Sequence, residues 1–292
     1  MKEEKQRHVA KRHNKVNRSP VTTVFLFVFI CIMGLFMVIP LVLIISNSLK
    51  PFNELWIFPP KLFPINPTLR NFRDMITVMS DSVVPFSRYL FNTVLITVVG
   101  TAGHIILASM CAFPLAKIKF PGRRIIFSTI VLTLMFNGTV TAIPNYIIMT
   151  KLGWIDTYLA LIVPAFSASL GLYLMKQFME QIPDSLLEAA KIDGASLIKI
   201  FWHIVMPNVK SAWLTLMLLS VQGLWNTGAS SYIFSEQYKS LAYALSQILA
   251  GGIARQGVGN AVSVVMMAVP IAIFLITQSN VIETMATSGM KD

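Results

Sequence analysis

From Pro183 to Pro207 the chain reads PDSLLEAAKIDGASLIKIFWHIVMP, a stretch of mixed charge and helical periodicity inside an otherwise apolar sequence. Ser185 and Glu188 have the spacing of a capping box, which predicts a helix starting at Ser185. Gly194 can take the left-handed conformation that ends that helix. Asp193 or Ser196 is then placed to cap a second helix. In it Leu197, Phe201, Ile204 and Val205 form one apolar stripe, with Ser196, Lys199 and His203 on the opposite side. Pro207 closes the unit. A helix pair with one apolar face must bury it, against this chain's own bundle or another protein. Ala189, Ala190 and Gly194 are small enough to let a partner surface approach. Residues of these types offer packing or docking, not bond-making chemistry.

Groups for covalent chemistry are missing. No G-x-x-x-x-G-K-[ST] phosphate loop occurs, so ATP is not expected to bind here. His8, His13, His104 and His203 are scattered and make no metal-ligand pair, so no metal site is expected. Cys31 and Cys111 lie in apolar runs and read as small core residues. No Ser-His-Asp or paired-carboxylate spacing is present. His104, beside Gly103, is expected to bond a neighbouring helix, lining a path being the alternative. Apart from Asp156, just outside the fourth apolar run, the runs carry no acidic residue, which argues against a proton relay.

The elements that must hold the docking unit are membrane helices. The chain has 292 residues, 55% hydrophobic and 13% charged. A soluble domain carries about 25% charged residues. A span needs about 20 mostly apolar residues. Six segments qualify: Val21 to Ser46, Asn92 to Ala116, Ile125 to Met149, Tyr158 to Phe178, Val209 to Ser230 and Ala261 to Val281. The fifth, with Ser211, Thr215, Ser220, Gln222 and Asn226, is expected to face protein or water in part. The first is too long for a cleaved signal segment. Pro40, Pro114, Pro144, Pro164 and Pro270 fall within spans, where kinks suit a path that opens and closes.

The net charge of +11 is not a nucleic-acid signature. Lys2, Lys5, Arg7, Lys11, Arg12, Lys15 and Arg18 crowd a tail over 1–20 with no interleaved aromatic, and such a tail orients a span and touches the lipid bilayer. With that tail inside, Lys117–Arg124 and Lys176–Lys210 also fall inside, and inner segments hold about twice the Lys and Arg of outer ones. Both termini are therefore expected in the cytoplasm. The expected divisions are the tail 1–20, a first span 21–46, a proline-rich outer loop 47–91, a core 92–281 containing the inner loop 183–207, and a tail 282–292.

The inner loop resembles a known pattern. Glu188-Ala189-Ala190, three residues, Gly194, nine residues, Ile204, one residue, then Met206-Pro207 is similar to the EAA loop of ABC importer permeases, with Met206 where the family has leucine. Ser48-Leu49-Lys50-Pro51, Pro59-Pro60, Thr68-Leu69-Arg70-Asn71-Phe72 and Arg88-Tyr89-Leu90-Phe91-Asn92-Thr93 resemble the carbohydrate-importer branch. So do Pro144, Tyr146, Leu152-Gly153, Asp156-Thr157-Tyr158, Ile182-Pro183 and Trp225-Asn226. Thr227 to Tyr232 and the residues from Gln278 onward depart from the maltose-permease type. They look more like a branch handling oligosaccharides and complex polysaccharides.

The resemblance implies an all-α, six-span permease of the type I importer fold in the bacterial plasma membrane. It would pair with a second permease, two ATP-binding subunits that carry ATP and Mg, and an extracytoplasmic sugar-binding protein. Glu188, Ala189, Ala190, Asp193 and Gly194 would dock on the ATPase, with Ile204 and Pro207 completing the loop. A hydroxyl-rich solute needs polar and aromatic groups along its route. Candidates are Asn137, Thr139, Thr141, Asn145, Tyr146, Ser167, Ser169, Tyr173, Gln222, Trp225 and Asn226, each with an alternative role holding helices together. Trp56 and Phe58 of the outer loop would meet the binding protein or cover the bundle. The rival readings are an importer for a non-sugar solute such as glycerol-phosphate, an ATP-independent channel or carrier, and a membrane-embedded enzyme.

Overall fold

The computed structural model describes residues 20–80, 84–136, 138–228 and 230–288. Among these, every regular element is helical. In chain order they are α1 (Pro20–Leu49), α2 (Phe52–Leu55), α3 (Arg70–Ser80), α4 (Phe86–Lys117), α5 (Arg123–Thr133), α6 (Gly138–Lys151), α7 (Leu159–Phe166), α8 (Ser169–Glu180), α9 (Asp184–Ile192) and α10 (Leu197–Ile200). A π turn (Phe201–Val205), α11 (Met206–Asn208), α12 (Lys210–Trp225), α13 (Leu241–Ala250) and α14 (Gln256–Ser288) follow. Nearly all the basic tail expected over 1–20, and the end of the C-terminal tail, lie outside the described residues.

Among the described residues four helical stretches are long and apolar enough to cross a membrane: Val21–Leu49, Phe86–Lys117, Leu159–Glu180 and Ile253–Gln278. Leu197–Asn208 and Lys210–Trp225 make a fifth if taken together, but they meet at 78°. The third expected span is not one helix. After Thr133 the backbone tightens into three-residue turns at Leu134, Met135 and Phe136, and α6 resumes at Gly138. The fifth is shorter than expected, ending at Trp225 instead of Ser230. The second is longer, because its helix begins at Phe86.

α4 is the axis of the bundle, packing against α7, α8 and α12, while α1 lies at the periphery against α14. Small residues set the approach. A Cβ on Gly103 would fall 2.1 Å from the Phe166 ring, and one on Gly171 2.2 Å from Nε2 of His104. Each glycine lets a neighbouring ring lie against the helix, the close packing by which membrane helices associate where water supplies no driving force. One apolar cluster gathers Phe113, Met175, Met179, Leu187, Ile200, Phe201, Val205 and Val209, joining the docking unit to α4, α8 and α12. A second, at the other end, gathers Met75, Tyr89, Trp225, Leu241, Ile248 and Val262.

Candidate functional site

The elbow between α9 and α10 is built from its hydrogen bonds. Asp193 ends α9, and Gly194 follows with φ +77°. The Gly194 N–H bonds the Lys191 carbonyl and the Ala195 N–H the Ala190 carbonyl, both at 3.0 Å. This is the paired closure that satisfies the last carbonyls of a helix and that glycine makes possible. Ser196 caps α10 by accepting the Lys199 N–H at 3.4 Å. The expected capping box does not form: α9 starts at Asp184, with Pro183 before it and no side-chain cap. Asp184 instead turns its carboxylate to Lys117.

The apolar stripe is also shifted. Leu197, in the first turn of α10, stays 47% exposed, and Ile200, 1% exposed, takes its place beside Phe201 and Val205. The following turn is a π turn, with the Met206 N–H reaching back five residues to the Phe201 carbonyl. Pro207 lacks a donor and would crowd the carbonyl of His203 in a regular helix; a wider turn just before it relieves that contact. The chain then bends at Val209 and enters α12.

The seven loop residues fall into two groups. Glu188, Ala189, Asp193 and Gly194 are exposed on the elbow. Ala190 and Ile204 pack on the cluster shared with the bundle, and Pro207 stands exposed at the bend. Sequence reasoning missed the apolar neighbours of the exposed group: Ile192 is 86% and Ile198 73% exposed. They break no helical pattern, so only the folded elbow reveals them.

The elbow is tied to α4. Lys117 Nζ donates to Asp184 Oδ1 at 2.7 Å and to the Ile182 carbonyl at 2.5 Å. The Lys117 hydrogen bond, with that residue's charge, holds the Asp184 carboxyl below the usual carboxylate range. Arg123 bonds the Ala116 carbonyl at 3.2 Å, and Arg123 and Lys176 converge on Glu180 at 3.4 and 2.7 Å.

Among the described residues the solute-path candidates do not converge on one chamber. Tyr146 stacks on Tyr232 with ring centroids 6.3 Å apart. The two border a cleft of about 560 Å³ that also takes in Thr227, Ser230 and Ser231. Gln222 faces a separate cleft of about 210 Å³ with Pro270 and Phe274, and its carbonyl accepts from Asn226 at 2.8 Å. Tyr173 stacks on Phe127 instead, at 6.1 Å. Trp225 is 2% exposed and donates to the Met266 carbonyl at 2.8 Å, so it fastens α12 to α14. Thr141 and Ser167 bond carbonyls within three residues of themselves, and Ser169 meets Thr133 at 2.6 Å. Asn145 is half-buried. Asn137 and the side chain of Thr139 lie outside the described residues.

His104 is the expected satisfied core histidine. Nε2 lies 3.1 Å from the Ala168 carbonyl, at the break between α7 and α8, and Nδ1 lies 2.8 Å from the Ser220 hydroxyl of α12. A carbonyl only accepts, so Nε2 carries the proton and Nδ1 accepts. A buried polar stripe on α4 was not read from the sequence: Asn92, Thr93, Thr97 and Thr101 precede His104. The hydroxyls of Thr97 and Thr101 have no partner among the described residues.

The first long loop is knotted by polar contacts. Asn71 donates to the Ser48 and Lys50 carbonyls at 2.8 and 2.7 Å. Glu54 accepts from the backbone N–H groups of Ile65 and Asn66, each at 3.0 Å. Asp156, at φ +59°, accepts from the N–H groups of Phe234 and Ser235 at 3.0 and 2.8 Å and from the Ser235 hydroxyl. That hydroxyl is the main reason its carboxyl titrates below its ordinary value. Asn92 bonds the Gln237 and Lys239 carbonyls, at 2.9 and 2.8 Å, and takes the Tyr158 hydroxyl at 2.7 Å.

Known proteins resemble this chain. LplC of Bacillus subtilis is 34% identical over 193 residues, 66% of this chain and 63% of that protein. The polygalacturonan/rhamnogalacturonan transport system permease protein YtcP, also of B. subtilis, is 31% identical over 206 residues, 70% of each chain. Among solved structures, a chain of a bacterial ABC transporter involved in the import of the acidic polysaccharide alginate superposes with a TM-score of 0.77. It is 23% identical, over 90% of this chain and 98% of its own. Residues 104–286 match the family described as the binding-protein-dependent transport system inner membrane component, and this chain belongs to that family.

Proposed function

We propose that the chain is the permease subunit of an ABC importer that carries a sugar or oligosaccharide across the plasma membrane by alternating access, driven by a separate ATPase. In this reading it crosses the membrane six times with both termini in the cytoplasm. The third crossing is the pair α5 and α6, and the fifth is α12 entered through the bent α10–α11 segment. The elbow at Gly194 then lies on the cytoplasmic side.

The observation that carries the proposal is the elbow itself. Glu188, Ala189, Asp193 and Gly194 are exposed beside the bare apolar side chains of Ile192 and Ile198. The same unit is anchored to the bundle through Leu187, Ile200, Phe201 and Val205. A unit with one face packed in the bundle and an exposed face outside is suited to passing a push from a partner. Two ATP-binding subunits, with ATP and Mg bound to them, would supply it. A second permease would complete the path, and a binding protein would deliver solute from outside.

The sugar assignment rests on the relatives whose names specify polygalacturonan, rhamnogalacturonan and alginate, and on the Tyr146–Tyr232 stack beside hydroxyl groups. Aromatic faces with neighbouring hydroxyls suit sugar rings. Extraction in mild detergent should bring down an ATP-binding protein and a second permease. Isolation of the chain alone, with full solute uptake retained, contradicts the proposal.

A further inference from the structure

Where α4 gives way to α5 the surface opens into a cleft of about 750 Å³ lined by Lys119, Phe120, Arg123, Arg124, Phe127 and Lys176, with Gly122 and Ile125. Four cations share this space. Arg123 and Lys176 both lean on one carboxylate, Glu180, and Lys176 also sits over the Phe127 ring at 3.8 Å. Lys119 and Arg124 are exposed and form no ion pair among the described residues. Like charges packed this closely repel, and an anion between them removes the repulsion.

The walls are not wholly polar. Beyond Arg124 the helix continues with Ile125, 73% exposed, and Ile126, 46% exposed, and α5 buries none of its residues. A ligand suited to the cleft is anionic where the cations meet and apolar along α5. A soluble phosphate compound satisfies the first condition and leaves the second unmet.

We propose that this cleft holds the phosphodiester headgroup of an anionic phospholipid of the cytoplasmic leaflet, with its acyl chains lying along Ile125 and Ile126. Lys119 and Arg124 contact the phosphate, Lys176 and Arg123 form the floor, and Phe120 and Phe127 flank the glycerol. The assignment rests on the inward placement of Lys117–Arg124 in the proposed topology. It assigns the basic inner loop a bound lipid in addition to its part in orienting the helices.

The test uses the full chain, extracted with the partners that co-purify and then exposed to phosphatidylglycerol or phosphatidylcholine, with retained lipid counted by native mass spectrometry. Phosphatidylglycerol is retained in preference to phosphatidylcholine. The double variant Lys119→Gln/Arg124→Gln loses that retention by about 25-fold, two surface charges at roughly fivefold each. The charge-conserving pair Lys119→Arg/Arg124→Lys keeps it, which separates charge from misfolding. Equal retention of both lipids, undiminished phosphatidylglycerol in the double variant, or binding of inorganic phosphate with no lipid preference overturns the assignment. Gly194→Asp, on the elbow, keeps the lipid even where uptake is lost, so failure of the coupling proposal is read separately.

Discussion

Lys117 Nζ, in the last turn of α4, lies 2.7 Å from Oδ1 of Asp184, the first residue of α9. The side chain of Lys117 is 7% exposed and that of Asp184 76%. The contact joins the axis of the bundle to the start of the docking unit. The same ammonium holds the Ile182 carbonyl at 2.5 Å and the Glu180 carbonyl at 3.3 Å.

Lys117→Met keeps the buried stem and removes the donor. It lowers stability by about 1–3 kcal/mol, the cost of leaving a buried carbonyl without its partner. Asp184→Asn changes an exposed group and costs far less. Thermal unfolding in detergent compares the two; equal losses mean that the carboxylate, not the carbonyl, carries the anchor.

Gly194→Asp places a Cβ where nothing lies within 4 Å, so it clashes with nothing. It adds charge at the exposed elbow and strains a left-handed residue by about 1–2 kcal/mol. Membrane insertion is unchanged, while solute uptake and its coupling to the partner ATPase fall more than about tenfold, the equivalent of about 1.4 kcal/mol. Uptake at the wild-type rate removes the elbow from the mechanism.

His104→Leu strands the Ala168 carbonyl at the break in the fourth span and the Ser220 hydroxyl. The expected loss is about 1–3 kcal/mol. Gly171→Ala produces a loss of similar size by overpacking, since its new Cβ would lie 2.2 Å from Nε2 of the same ring. Unfolding midpoints of the two variants and their double test whether the effects are shared, as contact predicts: the double loses less than the sum.

Asp156 clamps residues 234–235 as a carboxylate, held below its ordinary value by the Ser235 hydroxyl and the two N–H groups. A depressed value means the clamp contributes fully above the ordinary pKa of about 3.9 and is lost as pH falls through the lower folded value. Acidification below about pH 4 therefore frees residues 232–239, seen as faster amide exchange. Asp156→Asn does the same at neutral pH, because it removes the carboxylate charge while leaving at φ +59° a residue that adopts this conformation as aspartate does. Unchanged exchange in the variant assigns the clamp to the backbone alone.

Much of this was legible beforehand. The alternation of apolar runs gives an all-helical membrane chain, and the spacing from Glu188 to Pro207 locates the elbow, its glycine stop and the Ser196 cap. What escaped depends on contacts distant in sequence. The capping box fails because the helix starts at Asp184, one residue early, with Pro183 in the cap position, and Asp184 is held by Lys117, 67 residues away. The stripe shifts from Leu197 to Ile200 because Ile200 packs into the cluster shared with the bundle, a contact with residues far off in sequence. The third run breaks at residues 134–136, just ahead of Asn137-Gly138, a turn-forming pair that the length and apolarity of the run had outweighed. Trp225 reads equally as a path or a packing residue until its N–H is found on Met266.

The most direct measurement is solute uptake into proteoliposomes carrying this chain with and without its co-purified ATPase, each with and without ATP. The account predicts uptake only when the ATPase and ATP are both present, and none when Gly194→Asp replaces the wild-type chain. Uptake by the chain alone, with no nucleotide, contradicts it.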